Sequence, residues 1–87
     1  MPYLVQTTFY YKFQPLPETI LGAYISFDLA LAKVGQWCQK YHYDHPKWDI
    51  FDRDIEKAVS RETRGRGHDV VFKVFYLPVH TDLSGGP

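Results

Sequence analysis

Hydrophobic and polar positions alternate from the start of the chain. Over residues 3–13, YLVQTTFYYKF, the side chains of Tyr3, Val5, Thr7, Phe9, Tyr11 and Phe13 fall on one side. Leu4, Gln6, Thr8, Tyr10 and Lys12 form the other, wetter side. A period of two in β-branched and aromatic residues predicts a half-buried strand. Gln14-Pro15-Leu16-Pro17 breaks it, because neither proline can donate to a ladder. Residues 19–25 lean toward a third strand; a short helix opening near Pro17-Glu18 is the alternative, and Gly22 weakens both readings.

The period then changes. Leu31, Val34, Cys38 and Tyr41 recur at three- and four-residue steps with Ala30 and Trp37 beside them, which predicts a helix. Ser26 is a natural N-cap and Asp28 places negative charge in the first turn, where the helix dipole favours it. Pro46 stops the helix before about His45. A second helix is expected next, capped by Asp49 or Asp52, with Phe51, Ile55, Ala58 and Val59 as its stripe and glycines at Arg64-Gly65-Arg66-Gly67 as its end. A last strand runs from His68 to Val79. Val70, Phe72, Val74 and Tyr76 line one face, and Val71, Phe75, Leu77 and Val79 the other, interrupted only by Lys73.

The expected architecture is α+β: a small antiparallel sheet of two or three strands, first and last strands paired, with two helices packed on one face. A strand apolar on both faces belongs in the centre of a sheet covered on both sides. Two helices cover one face, so the other calls for a loop lid from residues 14–22 or for a second chain, including a copy of this one.

Composition narrows the function classes. The 87 residues read as one compact domain, 1–87, with a frayed tail from about residue 81. The formal net charge is zero, which argues against a general nucleic-acid coat or a polybasic membrane binder. Hydrophobic residues at 45% exclude a disordered chain. A single Cys excludes an intramolecular disulfide framework and a multi-cysteine zinc site. With no signal-length apolar leader, no bilayer-spanning stretch and one free thiol, the expected location is cytoplasmic.

Three constellations are candidates for chemistry. His42, Asp44 and His45 have donor types and spacing that suit a metal, although dispersed His68 and His80 offer no second cluster. Arg61, Arg64 and Arg66, with Lys73, make residues 61–73 locally basic and suit phosphate or nucleic-acid contact. The acidic balance of residues 41–60 cancels that charge over the whole chain. Seven Tyr, six Phe and two Trp exceed what so small a core demands. Tyr10, Trp37, Tyr41, Tyr43 and Trp48, with Asp44, form the candidate partner-binding set, since Tyr and Trp recur as interface hot spots.

Catalysis finds little support. Cys38 lies on the apolar helix stripe, where a thiol is inert. Ser26 and Ser60 lack a nucleophile elbow, and Gly65-Arg66-Gly67 precedes a strand, the wrong order for a dinucleotide fingerprint. No cofactor is implied. The expected function is therefore a small non-enzymatic, regulatory protein-interaction module; inhibitors encoded by viruses and mobile elements share this size and lack of motif, a class-level association only.

Overall fold

The computed structural model describes residues 2–65 and 67–78. The chain runs β1 (Tyr3–Tyr11), β2 (Gln14–Pro15), β3 (Thr19–Tyr24), α1 (Phe27–Lys40), β4 (Trp48–Asp52), β5 (Lys57–Ser60), β6 (Thr63–Arg64) and β7 (Asp69–Tyr76). The described strands form one seven-stranded antiparallel sheet, which corrects the two or three strands expected. β1 and β7 pair antiparallel at its centre, from Tyr3↔Tyr76 to Tyr10↔Asp69. β2 and β3 flank β1 on its far side, and β6 and β5 flank β7, with β4 outside β5. Val79, assigned to the last strand, and the tail from residue 81 lie outside the described residues.

The alternation holds from Tyr3 to Phe9 in β1 and from Val70 to Tyr76 in β7, whereas Tyr11 is 53% exposed and Phe13 lies in the turn beyond the strand. Val5↔Val74, Thr7↔Phe72 and Phe9↔Val70 are register partners, so their side chains share one face. α1 covers that face with Phe27, Ala30, Val34 and Cys38, all buried together with Val5, Val70, Phe72, Val74 and Ala58. Ser26 caps the helix by accepting from the Leu29 N–H at 3.0 Å, and Asp28 sits in the first turn. At the other end the Tyr43 N–H reaches back to the Cys38 carbonyl at 2.8 Å while His42 takes φ 62. That is a left-handed C-terminal cap with His in the position glycine usually fills. Tyr41, expected on the apolar stripe, is 49% exposed because this cap turns it outward.

Helix α1 stands alone among the described residues, and the second helix expected from about residue 49 is a β-hairpin. The misreading has a physical origin. Phe51 and Ala58 are seven apart, a spacing that shares a helix face, but they are also register partners across β4 and β5. Asp52, expected as an N-cap, instead accepts the Asp54 and Ile55 N–H groups at 2.9 and 3.3 Å to build the connecting turn. An aspartate bonding to backbone two or three residues on serves either purpose. Glu56 at φ 54 closes the turn in a conformation no helix interior tolerates. The unpaired flank of β7 then receives β5 at Ala58↔Val74.

Residues 14–22 do not form a lid. They run along β1 as β2 and β3, broken near Pro17, with an irregularity where Leu21 bulges between the Gln6 and Val5 pairings. Residues 19–24 are thus strand, as favoured above.

One sheet hydrogen bond is supplied by a side chain. Between the β5 and β6 pairings, the Phe72 N–H donates to Ser60 Oγ at 2.8 Å in a buried position. Ser60→Ala leaves that N–H without a partner, and we expect a loss of about 2 kcal/mol in denaturant unfolding. A Ser60→Thr replacement, which keeps the hydroxyl, should recover part of it.

Candidate interaction surface

The helix leaves one side of the sheet open. On β1 and β7 the outward residues are Leu4, Gln6, Thr8 and Tyr10 opposite Phe75, Lys73, Val71 and Asp69. The pairings Ala23↔Leu4, Ile20↔Gln6, Val59↔Lys73 and Ile50↔Val59 extend the same face to both edges. No described segment packs over it. Ile20 and Ile50 are about half exposed there, and Gln6 donates to the Glu18 carboxylate at the rim. This surface mixes apolar rows with Lys73, whose ammonium lies 5.2 Å from the Phe75 ring centroid.

The predicted aromatic set divides. Trp37 is packed among Phe9, Tyr41, Tyr43 and Phe72, with ring centroids 4.8–6.1 Å away. Tyr43 lies against Trp37 and its hydroxyl pairs with His68 Nε2 at 2.9 Å. Burial, with Cys38 and Asp69 nearby, raises its phenol above the ordinary 10.0. Trp48 is half-buried beside Phe51. Tyr10 reaches the open face, Tyr41 is exposed, and exposed Asp44 ties its own N–H to the Arg64 carbonyl at 3.0 Å. Tyr41 and Asp44 are the exposed members, and Tyr10 is half-buried on the open face.

The basic and metal-type candidates are spread out. Arg61 pairs with Asp49 at 3.5 Å, Arg64 stands opposite Asp69 in the β6–β7 ladder, and Lys73 is on the open face farther along β7. Arg66 lies outside the described residues, as does His80. Arg61 and Arg64 border one polar cleft of about 290 Å³ with Lys47, but Asp44 and Glu62 share it. His42 is committed to the helix cap, and His45 leans toward Gly35 on α1. Among the described residues no three His, Cys, Asp or Glu side chains come together to hold a metal.

Cys38 is 1% exposed, and burial pushes its thiol up to about 11 from an ordinary 9.0. Thiol alkylation at neutral pH is expected to proceed only at the rate of unfolding, and fast labelling of the native protein would contradict this placement. The raised value favours the folded chain below pH 9, and that contribution is lost as pH rises through about 11.

Sequence reading missed the hairpin tip joining β1 to β2. Lys12 and Phe13 both adopt left-handed backbone, φ 50 and 66, and Phe13 is 98% exposed. No Asn-Gly or Asp-Gly pair marks this turn, so the usual hairpin signal is absent. The hint was available in strand alternation continuing to Phe13 just before Pro15.

No helix among the described residues is long and apolar enough to cross a membrane. Comparison with known protein families, with curated proteins and with solved structures finds no match to this chain.

Proposed function

We propose that this chain is a small cytoplasmic protein-interaction module that regulates its partner by binding rather than by catalysis. One observation carries the reading: the open sheet face, where Leu4, Ile20, Ile50, Val59, Val71 and Phe75 lie with no described segment over them. Apolar side chains gathered on an uncovered face mark association sites, and here the central Gln6↔Lys73 pair lies among them. Tyr10 at one margin of this face supplies an amphipathic contact of the kind enriched in interfaces. Gln6, Glu18 and Lys73 provide polar groups for orientation.

The test is affinity capture from the cells that naturally carry the gene, with and without nuclease, using the wild-type chain and an Ile20→Lys/Ile50→Lys double variant. Both isoleucines are about half exposed, so the fold survives the charges. A partner retained after nuclease and lost with the double variant supports the reading. Capture abolished by nuclease moves the function to the arginine-bearing turn and to nucleic acid, with the steep salt dependence that phosphate contacts impose.

A further inference from the structure

We propose that the groove between α1 and β3 receives an extended, acidic segment of a partner protein, which adds to the free edge of β3 as a further strand. This site lies on the helix-covered side of the sheet and stands or falls independently of the open face.

The edge comes first. β3 pairs with β1 along one side, and no described strand pairs with its other side. Such an edge presents N–H and C=O groups that template a new strand unless charge, proline or a covering element blocks it. The two margins of this sheet differ in that protection. β4, at the opposite margin, carries Asp49 and Asp52, whereas Thr19–Tyr24 reads TILGAY, with neither charge nor proline. The irregularity at Leu21 turns that side chain into the groove, and regular pairing resumes from Gly22 to Tyr24.

The groove beside this edge is apolar at its floor and cationic at its rim. Val5, Leu21, Val34 and Trp37 line about 290 Å³ of space, with exposed Lys33 and Lys40 above them. No described residue lining it is acidic. The carboxylates that flank its two elements are engaged elsewhere. Asp28 pairs with Arg53 at 3.0 Å, and Glu18 accepts from Gln6 on the open face. Among the described residues neither lysine pairs with a carboxylate.

Geometry selects the occupant. Lys33 and Lys40 are seven residues apart on α1, which separates them by about 10 Å along the axis. That spacing calls for two acidic groups rather than one. In an extended segment alternate side chains share a side, so acidic residues four positions apart stand about 13 Å from each other. Both then fall within reach of the flexible lysine stems, and an apolar residue midway faces the groove floor. Backbone bonds to β3 supply affinity, and the alternate side chains supply specificity. A second copy offering its own β3 brings no acid to the lysines.

The experiment pans random decapeptides displayed on phage against the full chain. Selected peptides should carry Asp or Glu four positions apart with an apolar residue midway. A labelled peptide of that pattern, Thr-Glu-Thr-Val-Thr-Glu-Thr, should bind in a fluorescence-anisotropy titration. Its isomer Thr-Glu-Thr-Val-Glu-Thr-Thr, whose acids project to opposite sides, should bind about 10-fold more weakly. Lys33→Gln/Lys40→Gln should weaken the first peptide by a similar factor, and the difference should shrink as salt is raised. Both lysines are exposed, so this variant keeps the fold. Ile50→Lys, on the open face, should leave peptide binding unchanged. Binding should slow amide exchange at the outward N–H groups of Thr19–Tyr24 and leave Trp48–Asp52 unaffected. Selection of nothing, of basic sequences or of helix-spaced ones would overturn the site. So would equal binding of the isomer or by the lysine variant, or unchanged exchange in β3. Outward β3 amides already protected in the free chain would overturn it too, assigning the edge to a second copy if the chain sediments as a dimer and to another part of the same chain if it is a monomer.

Discussion

Val74→Asp is expected to abolish the cooperative unfolding transition and leave a chain without native tertiary signals. Val74 is 0% exposed, and its β7 position is bonded to β1 at Val5 on one side and to β5 at Ala58 on the other. Its register partners Val5 and Ala58 and its strand neighbour Phe72 are buried and apolar, so a carboxylate there is held away from water. Burying a charge without a partner costs several kcal/mol, which rivals the whole stability of a domain this size. Far-ultraviolet circular dichroism and a denaturant titration would check it. A variant that retains a cooperative transition would show that β7 is not central.

Gly65→Ala is the second large effect, and it acts through contact rather than through backbone freedom. A Cβ at Gly65 falls against the face of the Tyr43 ring, within 2.7 Å of Cζ and closer still to two other ring carbons. Tyr43 packs against Trp37, 4.8 Å away on centroids, and its hydroxyl is paired with His68, so displacing the ring disturbs both contacts. We expect a loss of about 3 kcal/mol, the upper end for overpacking, with a shift in Trp37 emission as the aromatic cluster opens. Adding Tyr43→Ala should relieve most of the clash. The double variant should then be little worse than Tyr43→Ala alone, a non-additivity that identifies the contact. Additive losses would mean that Gly65 matters for another reason.

What could be read from the chain depended on whether a residue pattern had one physical meaning or two. Alternation from Tyr3 to Tyr11 and from Val70 to Tyr76 has one, and both strands, their pairing and their inward faces follow from it. Ser26 followed by a three- and four-residue stripe likewise fixes α1. Residues 49–60 have two meanings. Seven-residue spacing and a capping aspartate describe a helix, and also a hairpin whose register happens to bring Phe51 opposite Ala58. Only the edge offered by β7, a long-range partner, decides between them.

The candidate surface was legible in part for the same reason. A strand apolar on both faces signals a second covering layer, and the open face answers to that signal. Trp37 packs inward from its place beside the apolar stripe of α1, and Tyr43 is half-buried because the cap at His42 turns the chain back toward the helix. Phe13 escaped notice because its alternation places it among inward residues, whereas the turn begins one residue earlier and reverses its direction.

The central pairing of β1 with β7 has a consequence for how the chain is made. The two middle strands of the sheet are separated by nearly the entire described sequence, so the core lacks one wall until synthesis has passed Tyr76. Before then the β1–β3 hairpin and α1 can associate only around an exposed apolar strand. Folding should therefore be slow for this length, on the order of milliseconds to seconds, as non-local β pairing dictates. A ribosome-bound chain stopped short of β7 should recruit holdase chaperones, and release should follow the emergence of Asp69–Tyr76.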